Sequence, residues 1–483
     1  MLFNSIDFAV FLPLVFIAYW FLTQHSLTDQ NGLIVISSYI FYGWWDWRFL
    51  VLILFSTGVD YFVGRQLGRE SVPLRRKALL WMSILANLGL FFFFKYSQFF
   101  IDNFVEAFRL FGNKLETSSL EIILPVGISF YTFQTLSYTI DVYRKKLEPT
   151  RDFIAFSAFV SFFPQLVAGP IERASNLLPQ FHRKRTFEYT KAVDGMRQIL
   201  WGLFKKMVIA DNCAETANYI FEHSDQLGGS TLALGALFFA FQIYGDFSGY
   251  SDIAIGTSRL FGFDLKQNFA FPYFSRDIAE FWRRWHISLS TWFRDYLYIP
   301  LGGSREGRLI SVRNTFIIFL VSGFWHGDNW TFILWGALHA IFFLPLLLLG
   351  KNRKNLDSIA HQKSIPGFGE FLGILSTFAL VVLAWIFFRA ENLGHAIQYF
   401  QGLFSSSLFS IPVFEGKGVA LVTMILVLFL ILIEWKGRSA KHGLEQLGLN
   451  WPRALRWSFY SMIVFLISLF MVTEETPFIY FQF

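Results

Sequence analysis

Two histidines stand out as residues that could carry out chemistry. The chain has nine histidines, and most fall in loops, where a solvated side chain explains them. His286 and His326 instead lie inside apolar, aromatic segments. A neutral imidazole is the side chain best suited to proton exchange near neutral pH. Taken alone, each histidine is explained equally well by a structural role and by a functional one. The residues around it must therefore distinguish the two roles.

His286 lies in the segment FWRRWHISLSTW, residues 281–292. Helical spacing would place Arg283, His286 and Ser290 on one face, within about 60°. That face is polar inside an aromatic segment, and polar groups at membrane depth usually line a pathway or a site. The segment therefore predicts a functional histidine.

Other enzyme signatures are missing from the sequence. The segment at 127–131, GISFY, lacks the closing glycine of a nucleophile elbow. No phosphate loop, no histidine pair at metal-binding spacing and no His-x4-Asp pattern occurs. The single cysteine, Cys213, cannot form an internal disulfide or a multi-cysteine metal site. A serine hydrolase, an ATPase, a metalloprotease and a bound metal are all disfavoured.

The elements that position these histidines must be membrane helices. Hydrophobic residues make up 54% of the 483 residues and charged residues 16%, against about 25% in globular proteins. The apolar residues fall into many separate runs of about 20, which match ~30 Å of hydrocarbon. The net charge of +6 indicates basic cytoplasmic loops, and no nucleic acid need be invoked. The sequence predicts an all-α polytopic membrane protein.

Basic and acidic loops alternate in a way that predicts about eleven spans with both termini outside. Phe153–Ala168 and Trp285–Leu301 break the alternation, because each has basic clusters on both sides. We expect both segments to enter the membrane and return, and such irregular backbone survives only beside protein or water, as in a cavity. The alternative is that one basic cluster is an exception to the rule.

The stretch from Asn314 to Gly350 is long enough for two membrane passes, interrupted at WHGDN, residues 325–329. Counted from Asn314 at 1.5 Å per residue, His326 would lie about 18 Å along its helix, near the bilayer centre. Two histidines in segments that border a cavity favour function over packing.

Several long motifs resemble one enzyme family. They are LPVGISFYTFQTLSYTIDVYR at 124–144, FPQLVAGPIE at 163–172, YGDFSGYSDIAI at 244–255, FWRRWHISLSTWFRDYLYIPLGG at 281–303 and GFWHG at 323–327. Together they closely resemble the membrane-bound O-acyltransferase (MBOAT) family, in its bacterial branch that acetylates exported polysaccharides such as alginate. The similarity extends through nearly all of the first 350 residues.

The resemblance implies an MBOAT fold around a central tunnel, with an acyl donor entering from the cytoplasm and an acceptor hydroxyl from outside. His326 would be the catalytic base, and His286 would occupy the family's second active-site position. It also implies a single domain over 1–483, with an active-site core at 79–350, further spans at 351–473 and an aromatic extracytoplasmic tail at 474–483.

Acetyl-CoA is the donor that we infer, as a substrate rather than a bound cofactor, and its phosphates need cations near the inner mouth. The candidates are Arg283, Arg284, Arg294, Lys205 and Lys206, although each arginine is equally well explained as a cytoplasmic anchor. The residues expected to line the tunnel are Trp285, Ser290, Trp292, Trp325 and Asn329.

The C-terminal residues TPFIYFQF, 476–483, are too aromatic to be left in water, because each exposed Phe forfeits about 1.5–3 kcal/mol of possible burial. We expect the tail to dock. It also resembles the tyrosine-bearing C-terminus of a small membrane peptide in teichoic-acid D-alanylation. This resemblance makes Tyr480 a candidate acyl carrier, and an interfacial anchor is the alternative.

The expected function is acetyl transfer across the bacterial inner membrane to an extracytoplasmic polysaccharide, with a secreted SGNH or esterase-like transferase as partner. D-alanyl transfer, a transporter, and a scaffold for exopolysaccharide export stay open as alternatives.

Overall fold

The computed structural model describes residues 1–110, 125, 127–167, 169–360, 363–472 and 479. Every regular element within these ranges is helical. The α-helices are α1 Ile6–Ile17, α2 Leu27–Gly43, α3 Leu50–Arg69, α4 Pro73–Leu110, α5 Ile128–Tyr143, α6 Phe153–Ser161, α7 Phe163–Leu166, α8 Ala174–Phe181, α9 Tyr189–Leu203, α10 Asp211–Glu222, α11 Gly229–Leu260, α12 Ile278–Arg284, α13 Ile287–Phe293, α14 Arg308–His326, α15 Trp330–Leu348, α16 Phe368–Arg389, α17 Leu393–Leu403, α18 Lys417–Gly437 and α19 Arg453–Phe470.

Eight helices in the described ranges are long and apolar enough to cross a membrane. They are Trp47–Arg69, Pro73–Arg109, Gly229–Leu260, Arg308–His326, Trp330–Leu348, Phe368–Arg389, Lys417–Gly437 and Arg453–Phe470. Two apolar helical runs, Ile6–Leu22 and Phe153–Leu166, are shorter. The prediction of a polytopic all-α membrane protein is confirmed, whereas the count of eleven spans is not.

The chain divides into two compact units, and the first comprises Met1–Gly195 with Thr257–Lys266. In this unit, α3 and α5 approach closely at Gly64, where an added Cβ would lie 2.5 Å from the Tyr138 ring. A buried carboxyl group, Asp60, accepts hydrogen bonds from Thr139 at 2.8 Å and Asn87 at 2.8 Å. Close backbone approach and a satisfied polar group together hold these helices.

The predicted re-entrant segment Phe153–Ala168 is also in the first unit, and its last residue lies outside the described residues. The segment contains α6, of nine residues, and α7, of four, separated at Phe162. Because α6 is only about 14 Å long, it covers less than half of the hydrocarbon thickness. This length is what a segment that enters and returns requires.

The second unit comprises Met196–Gly256 and Gln267–Phe483. Its central feature is an antiparallel hairpin of α14 and α15, which confirms the two predicted passes, although the first helix begins before Asn314, at Arg308. Two glycines permit the contact, because a Cβ at Gly323 would strike the Phe332 carbonyl and one at Gly336 the Phe319 carbonyl. The two backbones therefore approach closely, as is usual where small residues meet in membrane helix pairs.

Candidate active site

His326 is the last residue of α14, at the turn of the hairpin. Its ring is 4% exposed and lies edge-on to two aromatic rings, Trp335 at 5.2 Å and Phe388 at 5.4 Å between centroids. Gly327 follows in extended conformation, and a Cβ there would strike the Phe332 ring. The tight turn therefore needs glycine directly after the histidine.

The depth of His326 differs from the sequence-based expectation. The helix begins at Arg308 rather than near Asn314, so His326 lies about 27 Å along it instead of about 18 Å. This distance is nearly the full ~30 Å of hydrocarbon. His326 consequently lies at the far end of its helix from the basic Arg308 terminus.

The expectation that Arg283, His286 and Ser290 share one helical face is wrong. The helix ends at Arg284 and a new one begins at Ile287, because His286 has a φ of +42°. A positive φ at a residue other than glycine is unusual and interrupts a helix. Arg283 is exposed, Ser290 borders a cavity, and His286 is buried elsewhere in the unit.

Asn268 fixes the orientation of His286. The side-chain oxygen of Asn268 lies 3.1 Å from Nδ1 of His286, and it also accepts hydrogen bonds from the Ser288 N–H and hydroxyl. Because this oxygen can only accept, Nδ1 carries the proton and donates it. Nε2 of His286 is then left with a free lone pair, the form in which an imidazole can act as a base or accept a proton.

An aromatic series joins the surroundings of the two histidines. Trp285, next to His286, contacts Trp385 at 5.0 Å, and Trp385 stacks on Trp335 at 5.6 Å. Trp335 in turn contacts His326. Trp285, Trp335 and Trp385 are all buried, so the series is a packed row of rings that begins at the residue before His286 and ends against the imidazole of His326.

A cavity of about 390 Å³ runs along α14 toward His326. The α14 residues that line it, including Thr315, Phe319 and Ser322, are spaced as one helical face. His326 continues this face one turn beyond Ser322, about 6 Å further along the axis. The full lining is Trp282, Leu289, Ser290, Phe293, Tyr298, Ser304, Thr315, Ile318, Phe319, Ser322, Phe343, Leu347, Asn352 and Arg353.

The three arginines predicted to bind the donor make protein contacts. Arg283 donates to the carbonyls of Asn352 and Asn355 at 2.8 Å each, so it supports the loop that carries cavity residues 352 and 353. Arg284 pairs with Glu280 at 2.8 Å. Arg294 pairs with Asp295 at 2.8 Å and its side chain is 58% exposed. A donor-binding role of these arginines stays a prediction.

Lys205 and Lys206 are buried in a π-helical segment, Phe204–Ala210. Lys205 pairs with Asp252 at 2.6 Å, and Lys206 pairs with Asp211 at 2.8 Å and Asp246 at 2.9 Å. A buried ammonium group needs such partners. These carboxylates already hold both ammonium groups, and a donor-binding role of the two lysines stays a prediction.

The residues expected to line a tunnel have different surroundings. Ser290 lines the cavity, whereas Trp285 is part of the buried aromatic series. Trp292 is buried against Tyr296 at 4.8 Å, and Trp325 is half-buried. Asn329 caps α15, accepting from the Thr331 N–H at 3.0 Å. The structure thus brings one of the five to the cavity wall.

Apart from Ser290, the polar residues of the cavity were not predicted from the sequence. Arg353 lies in a basic loop cluster, a signal that was available but also fits a cytoplasmic anchor. Ser322 stands one turn before His326, a spacing visible in the sequence. Asn352 and Ser304 carry no pattern that would have identified them.

Tyr480 lies outside the described residues, but its neighbour Ile479 does not. Ile479 is 2% exposed, and its backbone N–H donates to the Asp246 carboxylate at 2.6 Å. This contact agrees with the expectation that the tail docks.

Comparison with known proteins supports the resemblance. Residues 144–384 match the membrane-bound O-acyltransferase family, a range that includes both histidines. The whole chain is 38% identical to the full length of a protein named probable alginate O-acetylase AlgI from Pseudomonas putida. It is 41% identical, over 84% of this chain and 75% of the relative, to the protein of that name from Pseudomonas aeruginosa.

A peptidoglycan O-acetyltransferase from Helicobacter pylori is 38% identical over 83% of this chain and 80% of its own length. These relatives, the family match and the multi-pass helical architecture agree. The chain is therefore an acyltransferase that belongs to the membrane-bound O-acyltransferase family.

Proposed function

We propose that this enzyme transfers acetyl groups from cytoplasmic acetyl-CoA for the O-acetylation of an extracytoplasmic polysaccharide, in the inner membrane of a bacterium. The names of the relatives support polysaccharide acetylation, because the chain matches them over most of its length. The observation that carries the proposal is the cavity that follows α14 to within one turn of His326.

The composition of the cavity suits a coenzyme A thioester. Asn352 and Arg353 lie where the cavity meets the loop after α15, and a guanidinium group binds phosphate well. The rest of the lining is mainly apolar, with Phe319 and Phe343, and it includes the hydroxyls of Thr315 and Ser322. Such a lining fits a narrow arm that carries both methylene and amide groups.

In the proposed mechanism, His326 acts as general base. The acceptor oxygen attacks the thioester carbonyl carbon while His326 takes the hydroxyl proton. The C–S bond then breaks, and the imidazolium returns the proton to the leaving thiolate, so that an ester and a free thiol result. General-base catalysis of this kind contributes roughly 10²–10⁴ in rate. His286 polarises or positions the reacting groups through its Nε2.

His326→Ala tests the proposal in cells that make the acetylated polymer. We expect polymer acetylation to be lost while the membrane abundance of the variant stays at the wild-type level. His25→Ala, at an exposed histidine, is the matched control and should keep full acetylation. Normal acetylation in the His326 variant would favour a scaffold or a transporter and would overturn the proposed role.

Identifying the transferred group separates acetyl from D-alanyl transfer. Mild alkali should release acetate from the purified polymer of wild-type cells, in an amount that depends on His326. Release of D-alanine instead would contradict the proposed donor. Assaying alginate and peptidoglycan fractions separately identifies the acceptor.

We further propose that Tyr480 carries the acetyl group to a secreted SGNH or esterase-like partner transferase. The buried position of Ile479 and its hydrogen bond to Asp246 support a docked tail. Tyr480→Phe keeps the aromatic ring and removes the nucleophilic oxygen, so polymer acetylation should cease. Full acetylation by this variant would exclude the carrier role and leave tail docking as a matter of packing.

A further inference from the structure

The segment between α16 and α18 connects two membrane spans and has no charged residue in its middle. α16 ends at Arg389 and α18 begins at Lys417, and no Asp, Glu, Lys or Arg occurs from Leu393 to Phe414. The segment holds α17 and a loop with a short 3₁₀ turn at Ser406–Phe409. Because α17 is only about 16 Å long, it cannot cross ~30 Å of hydrocarbon. The segment therefore lies on one side of the membrane.

α17 has three faces rather than the two of an amphipathic helix that packs in water. One face is buried, the next is apolar but open, and the third is polar and exposed, with about 100° between neighbouring faces. In order around the helix the faces are Ala396, Tyr399 and Leu403; Leu393, Ile397 and Phe400; and Gln398 and Gln401. A helix that lies in the plane of a membrane surface has this arrangement, because its open apolar face enters the acyl boundary while its polar face meets water.

The loop after α17 holds large apolar side chains away from the protein. Phe409 is 93% exposed and Ile411 is 83% exposed. Hydrogen bonds with the start of α11 fix the loop in this position: Gly229 N–H donates to Ser407 Oγ at 2.8 Å, and Val413 N–H donates to Thr231 Oγ1 at 3.1 Å. An exposed Phe in water forfeits about 1.5–3 kcal/mol of possible burial. An ordered loop that presents two such residues needs an apolar partner for them.

Asn329 connects this segment to the turn of the α14–α15 hairpin. Its side-chain amide donates to the Glu391 carbonyl, two residues before α17, at 2.6 Å. The end of α16 also reaches the turn, because Phe388 contacts the His326 ring at 5.4 Å between centroids. α17 and His326 are therefore on the same side of the membrane, and the depth of one constrains the depth of the other.

We propose that α17 and residues 404–413 form an interfacial surface that is embedded among the lipid headgroups and holds the His326 end of the hairpin at that depth. Lipid covers this surface rather than a partner protein, because the segment leads directly into α18, a membrane span whose first turns expose Val419 and Leu421. Exposed apolar residues of a spanning helix face acyl chains. The lipid contact does not depend on the proposed function.

Spin labels measure the lipid contact in full-length protein in nanodiscs of phosphatidylcholine and phosphatidylglycerol. Labels are attached at Ile397→Cys, at Phe409→Cys and, as the matched control on the polar face, at Gln398→Cys. The native Cys213 is buried, and the wild type treated with the label gives its background. Collision with oxygen, which dissolves in hydrocarbon, is compared with collision with a water-soluble nickel complex. The oxygen-to-nickel ratio should be at least about 3-fold higher at 397 and 409 than at 398, since an interfacial helix buries its apolar face ~5–10 Å into the acyl boundary.

A label at Asp328→Cys, an exposed position in the hairpin turn, measures the depth of the His326 end. With Phe409→Gln and Ile411→Gln combined, nickel collision at 328 should rise about 2-fold, because the loop then gains little by burial in lipid. Ser406→Gln, at an exposed position of the same loop, is the control and should leave the collision rate at 328 unchanged.

Equal ratios at 397, 398 and 409 would overturn the lipid contact and would leave the surface open to a protein partner. Unchanged nickel collision at 328 in the double variant, or an equal rise with Ser406→Gln, would overturn the anchoring of the hairpin turn. Should Phe409→Cys fail to fold, Phe404→Cys reports on the same surface, since Phe404 is also exposed. No readout requires an acyl donor or an acceptor, so a failure of the proposed function would leave both results standing.

Discussion

Replacement of Asn268 by leucine tests whether Asn268 holds His286 in the tautomer that has its proton on Nδ1 and a lone pair on Nε2. Asn268 is fully buried, and its side-chain oxygen accepts from Nδ1 of His286 at 3.1 Å and from the Ser288 hydroxyl at 2.8 Å and N–H at 3.2 Å. Leucine has a similar size and no acceptor. The substitution therefore leaves three buried donors without their partner.

The size of the effect follows from these contacts. The Ser288 hydroxyl can turn toward Nδ1 of His286, 3.5 Å away, but only if the imidazole proton moves to Nε2. The Nδ1 atom and the Ser288 hydroxyl then have a partner again, while the hydrogen bond from the Ser288 N–H to Asn268 is lost. Because the loss of a buried donor's partner costs about 1–3 kcal/mol, we expect a loss of about 1–3 kcal/mol of stability. With Nε2 protonated, His286 no longer offers its lone pair, and kcat should fall about 10- to 100-fold.

The assay compares kcat and thermal unfolding of the purified variant with a control that loses similar bonds elsewhere. Asn314 is also fully buried, and its amide donates to the carbonyls of Leu301 and Gly303 at 3.1 and 3.0 Å. Asn314→Leu should lose comparable stability but keep its kcat. If Asn268→Leu is destabilised and retains wild-type kcat, the proposed tautomer of His286 has no part in catalysis.

Three further predictions address the donor, the hairpin and pH. Arg353→Ala should raise the KM for acetyl-CoA about 5-fold at unchanged kcat in steady-state assays, since one exposed charged contact is worth up to ~1 kcal/mol; an unchanged KM would remove Arg353 from the donor site. Gly336→Ala should cost about 1–3 kcal/mol in detergent unfolding, because its Cβ would strike the Phe319 carbonyl; an unshifted transition would contradict the close packing of α14 and α15. Burial raises the pKa of the Glu172 carboxyl group in the folded state. Its contribution to stability is therefore fully present while the pH is below the pKa of the unfolded state, and it is lost as the pH rises through the pKa of the folded state. Glu172→Gln should thus raise the melting temperature relative to wild type more at pH 8 than at pH 4, and an equal difference at both pH values would refute this account.

Composition and motif spacing were sufficient to predict the helical architecture and to place one of the two histidines, His326. Apolar runs of span length require helices, because backbone polar groups in lipid must be satisfied within the segment. The hairpin of α14 and α15 followed from the length of 314–350, and GFWHG marked its turn. The predicted start of α14 was wrong, because Arg308 and Arg313 were assigned to a basic loop from their charge alone, whereas they lie in the first turns of the helix.

The local conformation of His286 could not be read from the sequence. Its neighbours favour a continuous helix, and the break occurs because Asn268, 18 positions away, holds both the imidazole and the next helix start, accepting at its backbone carbonyl from the Ile287 N–H at 2.9 Å. A contact between distant residues overrode the local periodicity. No pattern within residues 281–292 predicts such a contact.

By itself the sequence determined a multi-pass helical acyltransferase, its family and the catalytic candidate His326, because hydrophobic period and motif identity are local properties. Only the tertiary structure decided which charged and polar groups are available to a ligand. It buried Lys205 and Lys206 against carboxylates of other helices and brought Arg353 to the cavity. Availability depends on which residues from distant segments surround a side chain, and only the folded chain brings those segments together.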